Sequence, residues 1–546
     1  MPASLSRLIL LTVLAAFVCL APTQVAAASS YNDLVTLFRE WREFQKPKMV
    51  NGVPDYSPNA MKAQHQQLKS WQQRLASIDI STFTIPQKVD YNLVRAEMNG
   101  LDFDHRVLRP WARSPFFYRV IIPSESDTPL HEGPHVYGAI ELWEYTFPLS
   151  DADAAAIRKK LDVTPQFLSA AKANLTEDDR DLWTLGLWGK KRESQALASL
   201  ATRVESSHPD LAVSATRARE SLDEFTAWLE ERHLTMKRAA PLGIDNYNWY
   251  LRNVHLTPYT WQDLVRMMER ELYRSLATMR LEQQRNRKLP PQPFPQTVEE
   301  LDRRNNQAID RFLSFLREDE IFSVPDYMNL DRLRGVRSLI PEERLDIFSN
   351  VEYRDSLPMK THMVHWLEKQ RMLKEPNPSP IRSARLLYNI WDTRSEGFAT
   401  AWEEATMNAG LFDDRPRARE LIYVMTAVRA VRGLADLKYH SGEMTLEEAM
   451  NFIVEKSPNR WFNPNGSTMW VDMGIYAHQP SYGTTYLAGK IAFDRILADK
   501  STQVGDSFRL KTFMDEFFAT GVIPMSMIHW EMTGLDDEAA AIGARK

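Results

Sequence analysis

The sequence predicts an all-α protein, one large and mostly helical unit with irregular loops near 105–148 and 457–482. Three observations carry this. Apolar residues recur at three- and four-residue spacing along most of the chain, the period of a helix with one buried face. Glycine is scarce, 20 in 546 residues, while methionine (22) and tryptophan (15) are plentiful. Strand-like alternation is weak throughout, and there is no 20–50-residue repeat or low-complexity tract.

In chain order, residues 1–28 read as a signal peptide. Arg7 supplies the positive end, Leu8 to Ala21 a short apolar run, and Ala26-Ala27-Ala28 a small-residue cleavage site. Cys19, the single cysteine, lies in that run. The preceding Ala16-Phe17-Val18 is bulky for lipoprotein processing. The mature unit, 29–546, is then exported, periplasmic or extracellular. It has no disulfide, so its stability rests on core size. No other apolar run is long enough to span a membrane, so no stable insertion is expected after cleavage.

Residues 31–46, 59–77 and 86–104 read as amphipathic helices, with Pro86 at the start of the third. The segment Arg109-Pro110-Trp111-Ala112-Arg113-Ser114-Pro115 cannot be continuous helix, and an irregular stretch follows to Pro148. Helical periodicity returns at 151–162, 164–174, 176–203 and 209–233. A loop is expected around Pro241, Gly243 and Asn246–Tyr250. Thr260 is placed to cap a helix over 261–287. The run Leu289-Pro290-Pro291-Gln292-Pro293-Phe294-Pro295 ends that helix, and 289–296 is the one place where the unit would subdivide. Helices follow near 297–317, 341–346, 358–374, 382–412, 414–441, 445–456, 483–499 and 507–519.

The net charge of −5, with acids and bases interspersed, offers no field for nucleic acid. There is no Gly-x-Ser-x-Gly elbow, no phosphate loop and no dinucleotide fingerprint, and the cysteine count excludes a cysteine nucleophile.

Four constellations remain. His131-Glu132-Gly133-Pro134-His135 spells H-E-x-x-H, but that metal motif needs a helix and Gly-Pro prevents one. His362 and His365, three apart on an expected helix, share a surface; with Glu396 they make a two-histidine, one-carboxylate set suited to catalytic zinc. Glu396 and Glu403 are two helical turns apart and share a face with Thr400 between them, lining either a polar pocket or a solvated acidic stripe. In Pro480-Ser481-Tyr482-Gly483-Thr484-Thr485-Tyr486-Leu487-Ala488-Gly489-Lys490 a loop enters a helix, where Tyr486 and Lys490 could meet an anion or carbonyl, or a tyrosine could simply be buried.

Over almost its whole mature length the chain resembles the bacterial family called domain of unknown function 885. Ser395-Glu396-Gly397-Phe398-Ala399 is similar to that family's E-G-W-A element. Pro480 to Lys490 is similar to its P-G-Q-x-x-S-Y-x-x-G-K element, and Gly521-Val522-Ile523-Pro524 to its common ending. Usual members look like zinc peptidases of the gluzincin kind, so the resemblance implies a helical peptidase-like scaffold with Glu396 in the metal-binding position. The metal motif H-E-x-x-P-G-H-H is not kept. Around Pro358, Arg354 replaces the first His, Asp355 the Glu, and Lys360 and Thr361 the His pair. Phe513-Met514-Asp515 lacks the histidine of F-H-D.

Two functions follow as expectations. The first is a peptide or amide hydrolase with Glu396 and Tyr486 as catalytic residues. It would use a metal relocated to His362, His365 and Glu396, or none, with Asp355 or Glu396 activating water and Arg354 or Lys360 stabilising an oxyanion. The second is a non-catalytic binder in which Arg354 and Lys360 clamp a carboxylate-bearing or peptide-like ligand. Asp355, His365, Glu403 and Lys490 complete the expected pocket. No cofactor is expected, zinc being the alternative. The plainest reading makes Arg354–Asp355 an ordinary ion pair at a helix start.

Overall fold

The computed structural model describes residues 30–126, 128, 137–336 and 338–546. The leader read at 1–28, with Cys19, and the His131–His135 motif lie outside them.

Among the described residues the chain is helical with two minimal sheets. Met49–Val50 pairs antiparallel with Val53–Pro54, and Ile121–Ile122 pairs parallel with Ile140–Glu141. Helices α1 (Tyr31–Phe44), α2 (Pro58–Ala76) and α3 (Ile85–Phe103) stand where expected. A short α4 (Pro110–Arg113) sits in the irregular stretch. Then come α5 (Asp151–Asp162), α6 (Thr164–Asn174), α7 (Arg180–Val204) and α8 (Pro209–His233).

The expected loop at Asn246–Tyr250 is instead helix α9 (Ile244–Asn253). Its aromatic side chains bury Tyr247 and Tyr250 on one face, and that packing outweighs the weak helix preference of Asn and aromatic residues. Thr260 caps α10 (Trp261–Arg285), accepting from the Asp263 amide. Next are α11 (Val298–Glu318), α12 (Ile347–Arg354), α13 (Leu357–His362) and α14 (Val364–Lys374). The expected single helix over 358–374 is therefore broken at Met363. The expected helix over 382–412 shortens to α15 (Asp392–Asn408), because Tyr388 and Asn389 take positive φ angles that no helix admits.

The remaining helices are α16 (Pro416–Ser441), α17 (Leu446–Lys456), α18 (Ser467–His478), α19 (Tyr482–Val504), α20 (Leu510–Ala519), α21 (Met525–Thr533) and α22 (Asp537–Ala541). Of these, α18 replaces part of the loop expected at 457–482. It is apolar on several sides, so it lacks the one-faced period that sequence reading looks for.

Two large apolar clusters stand out among the described residues, with smaller ones beside them. The larger is built from α1, α3, α11, α13–α16 and α19–α21; the second lies in α5–α8 with Tyr56 and Phe117–Ile121. At the centre α15 crosses α19 backbone to backbone. A Cβ on Gly489 would stand 2.6 Å from the Gly397 Cα, and one on Gly397 would be 3.0 Å from the Thr485 carbonyl oxygen. Both glycines belong to the elements resembling E-G-W-A and G-K, and this crossing is the reason they must be small. On the other side α16 meets α19 where a Cβ at Gly433 would touch the Gly483 carbonyl. Together α13, α15, α16 and α19 enclose the site.

Candidate metal centre

Breaking the 358–374 helix at Met363 puts His362 on the last turn of α13 and His365 on the first turn of α14. The imidazole rings keep the closeness that spacing by three implies, 5.0 Å between centroids and nearly perpendicular. Both face Glu396 of α15. His362 Nε2 and His365 Nε2 each lie 3.6 Å from Glu396 Oε2. The three ligand atoms lie within 4.8 Å of one another, and all three residues are buried. A separation of 3.6 Å is too long for a hydrogen bond. It suits two ligands on one zinc ion, each at about 2 Å.

Polar bookkeeping points the same way. Glu396 Oε2 and both ring nitrogens of His365 have no hydrogen-bond partner. Unpaired polar atoms in a dry interior are costly, and a cation between them would satisfy two of the three. The supporting contacts are those of a ligand set. Glu403 Oε1 sits 2.9 Å from His362 Nδ1, a carboxylate behind a histidine that faces the centre with its other nitrogen. Tyr482 donates to Glu396 Oε1 at 2.9 Å. Glu403 is held in turn by both arms of Arg429, at 2.8 and 2.6 Å. So Glu396 and Glu403 do share a face of α15, and the two nitrogens of His362 meet one each.

The electrostatics follow from this crowding. Burial pulls the His362 imidazole down, but the adjacent Glu396 and Glu403 carboxylates outweigh it and push it up to about 9. Burial works to raise the Glu396 carboxyl, yet the two histidines hold it well below the usual carboxylate range. A second layer adjoins. Arg432 donates to Tyr476 at 2.7 Å, Asp472 at 2.7 Å and Tyr486 at 3.3 Å. The Tyr486 ring lies beside the Arg429 and Arg432 guanidiniums, at 5.7 and 4.8 Å.

The residues expected to form one pocket thus divide. His362, His365, Glu396 and Glu403 converge, with Tyr486 in the adjoining layer. The others go elsewhere. Arg354 donates to Asn350 and lies over Phe294 and Trp461, facing a separate cavity of about 570 Å³. Asp355 does not pair with Arg354: it binds Arg415 at 2.8 Å and accepts from the Leu357 amide, capping α13. Lys360 pairs with Glu352 at 2.7 Å. Lys490 pairs with Glu404 and Asp494 at 3.2 and 3.0 Å.

Sequence reading missed Arg429, Arg432, Asp472 and Tyr476. A signal existed for the arginines: they interrupt the otherwise apolar run of α16 from Ala427 to Ala435, and a charge inside a buried helix needs a partner.

The sequence profile of a family described as "Bacterial protein of unknown function (DUF885)" matches residues 47–334 and 368–532. The chain belongs to that family. The unmatched interval, 335–367, holds both His362 and His365 and the Arg354–Thr361 segment. No curated protein matches. A "putative lipoprotein of unknown function" from Shewanella oneidensis shares the fold at a TM-score of 0.67 and 14% identity, over 92% of this chain and 100% of that one. A "putative lipoprotein" from Colwellia psychrerythraea does so at a TM-score of 0.61 and 14% identity, over 93% and 99%. At such identity the likeness concerns the fold alone. Among the described residues no helix is long and apolar enough to cross a membrane.

Proposed function

We propose that this DUF885 protein is exported and carries a buried metal centre on His362, His365 and Glu396, at which it hydrolyses peptide or related amide bonds. The observation that carries the reading is the pair of 3.6 Å separations about a partnerless Glu396 Oε2, with Glu403 and Tyr482 bracing the ligands from behind. Zinc held there would supply Lewis acidity and an activated water. The rest is done by the chain. Glu403 and Arg429 hold His362 in one orientation, Tyr482 aims Glu396, and Arg432 holds Tyr486 as the group that donates a hydrogen bond to the substrate carbonyl as negative charge develops on it. Export rests on the leader-like residues 1–28 and on the description of the two structurally similar proteins as lipoproteins.

One observation favours a second reading, a non-catalytic binder. His365 is fully buried and His362 nearly so, leaving little room for a substrate. There the space between ligands is filled by a proton on His362 instead of a cation.

The test is metal content of the purified mature chain by mass spectrometry, followed by a peptide and amide library. The metal reading expects about one zinc per chain, lost in both His362→Ala and Glu396→Gln. Turnover that disappears in Glu396→Gln supports the hydrolase. Stoichiometric zinc with no turnover leaves a structural centre, and absence of stoichiometric metal overturns the metal reading.

A further inference from the structure

A concavity of about 850 Å³ lies away from the metal centre, between α7, α18 and the stretches 116–126 and 142–147. Its walls are aromatic. Trp188 of α7 and Trp470 of α18 are stacked with 6.0 Å between centroids and planes 10° apart. Three arginines border it, and each lies over a ring of the same wall: Arg119 over Phe116 at 4.3 Å, Arg192 over Trp188 at 4.8 Å, and Arg203 over Phe147 at 3.5 Å.

Most arginines of this chain are committed to a carboxylate. These three form no ion pair with any described residue. Arg119 is largely enclosed, and burial lowers its guanidinium despite the more distant Glu193 and Glu141. The two acids on the wall are already neutralised: Glu125 by Lys369 and Arg332 at 2.7 and 2.9 Å, and Glu193 by Lys190 at 2.8 Å. The cavity therefore carries excess positive charge on aromatic walls. The volume lies in the range of small-molecule sites.

We propose that this cavity binds an organic carboxylate with a planar aromatic body, the ring against Trp188 and Trp470 and the carboxylate against Arg119 and its two companions. A guanidinium already lying on a ring keeps its N–H edge directed outwards, and that edge matches a carboxylate in two-point fashion. The floor is open at Gly474 of α18. A Cβ there meets nothing within 4 Å, so the helix backbone itself faces the void. The same helix turns Asp472 and Tyr476 the other way, onto Arg432. The inference does not rest on the metal centre.

The test is calorimetric titration of the full mature chain with N-acetyl-L-tryptophan and with its uncharged amide. The carboxylate binds and the amide binds at least about tenfold more weakly, a difference of one charge-assisted contact. Arg119→Gln erases that preference. Gly474→Leu, whose Cβ enters open space, abolishes binding of both while the protein stays folded and its melting temperature does not fall. Equal affinity for acid and amide, binding unchanged in both variants, or no binding of the acid at millimolar concentration each overturns the proposal.

Discussion

Gly489 and Gly474 both sit in helices, and the structure assigns them opposite roles. At Gly489 the helix α15 backbone occupies the place of a side chain. Gly489→Ala is expected to force α15 and α19 apart and to lower stability by about 1–3 kcal/mol or more, the usual cost of overpacking. Gly474 faces open space. Gly474→Ala removes backbone freedom from the unfolded chain and is expected to raise stability by roughly 0.5–1 kcal/mol. Urea midpoints of the two variants read both effects; equal shifts would refute the assignment. At this scale the sequence was partly legible. Small residues around Glu396 suggested close backbone approach, but nothing local named Gly489 as the partner. The site residues show the same limit. The spacing of Glu396 and Glu403 was enough to put them on one face. Lys360 and Arg354 were misplaced, because Glu352 and the Phe294–Trp461 pair that hold them come from outside the motif.

The element that orders the centre is α15, fully buried along most of its length. It is tied to α14 by an ion pair away from solvent: Arg394 embraces both oxygens of Glu368 and lies over Phe517 at 4.3 Å. Removing one partner leaves a bare buried charge. Glu368→Leu alone is expected to cost about 3–5 kcal/mol, while the double change with Arg394→Met costs markedly less. A double-mutant cycle by denaturant unfolding measures this, and additive losses would show that the pair does not couple α14 to α15. Element boundaries were read well where one face is apolar and the other wet, as in α5, α6 and α8. They were read poorly where the helix is buried all round. Helix α18 went unseen, and α15 was drawn too long, because a helix without a polar face has no period to find.

For the molecule as a whole, buried ionisable groups set the pH profile. Burial raises the Asp436 carboxyl to about 8 despite the Gly483 and Ser481 amides and Tyr247, and raises Asp104 to about 7. Both are raised above the unfolded value, so their stabilising contribution is present in acid and is lost as pH rises through the folded values. Burial instead lowers His440 and His478 to about 4 and His255 to about 3. Those residues act oppositely: they favour the fold above about 6.5, the unfolded value, and lose that contribution in acid. Between about 4 and 6.5 the two sets offset each other. Above 6.5 the carboxylates still lose their contribution, and so does the His362 imidazole raised to about 9, so stability is expected to fall from pH 6.5 to 8. In Asp436→Asn, which keeps an acceptor for the Gly483 amide, that fall is expected to be shallower. Chemical denaturation across this range checks it, and an unchanged slope would remove Asp436 as the cause. The all-α class was settled by periodicity and glycine scarcity, which act through local hydrogen bonding and one-sided burial and so are written along the chain. The meeting of His362 and His365 with Glu396, their bracing by Glu403 and Arg429, and the aromatic cavity with its unpaired arginines were decided by packing. These contacts join residues from about 30 to several hundred positions apart, and no local pattern encodes which buried faces will meet.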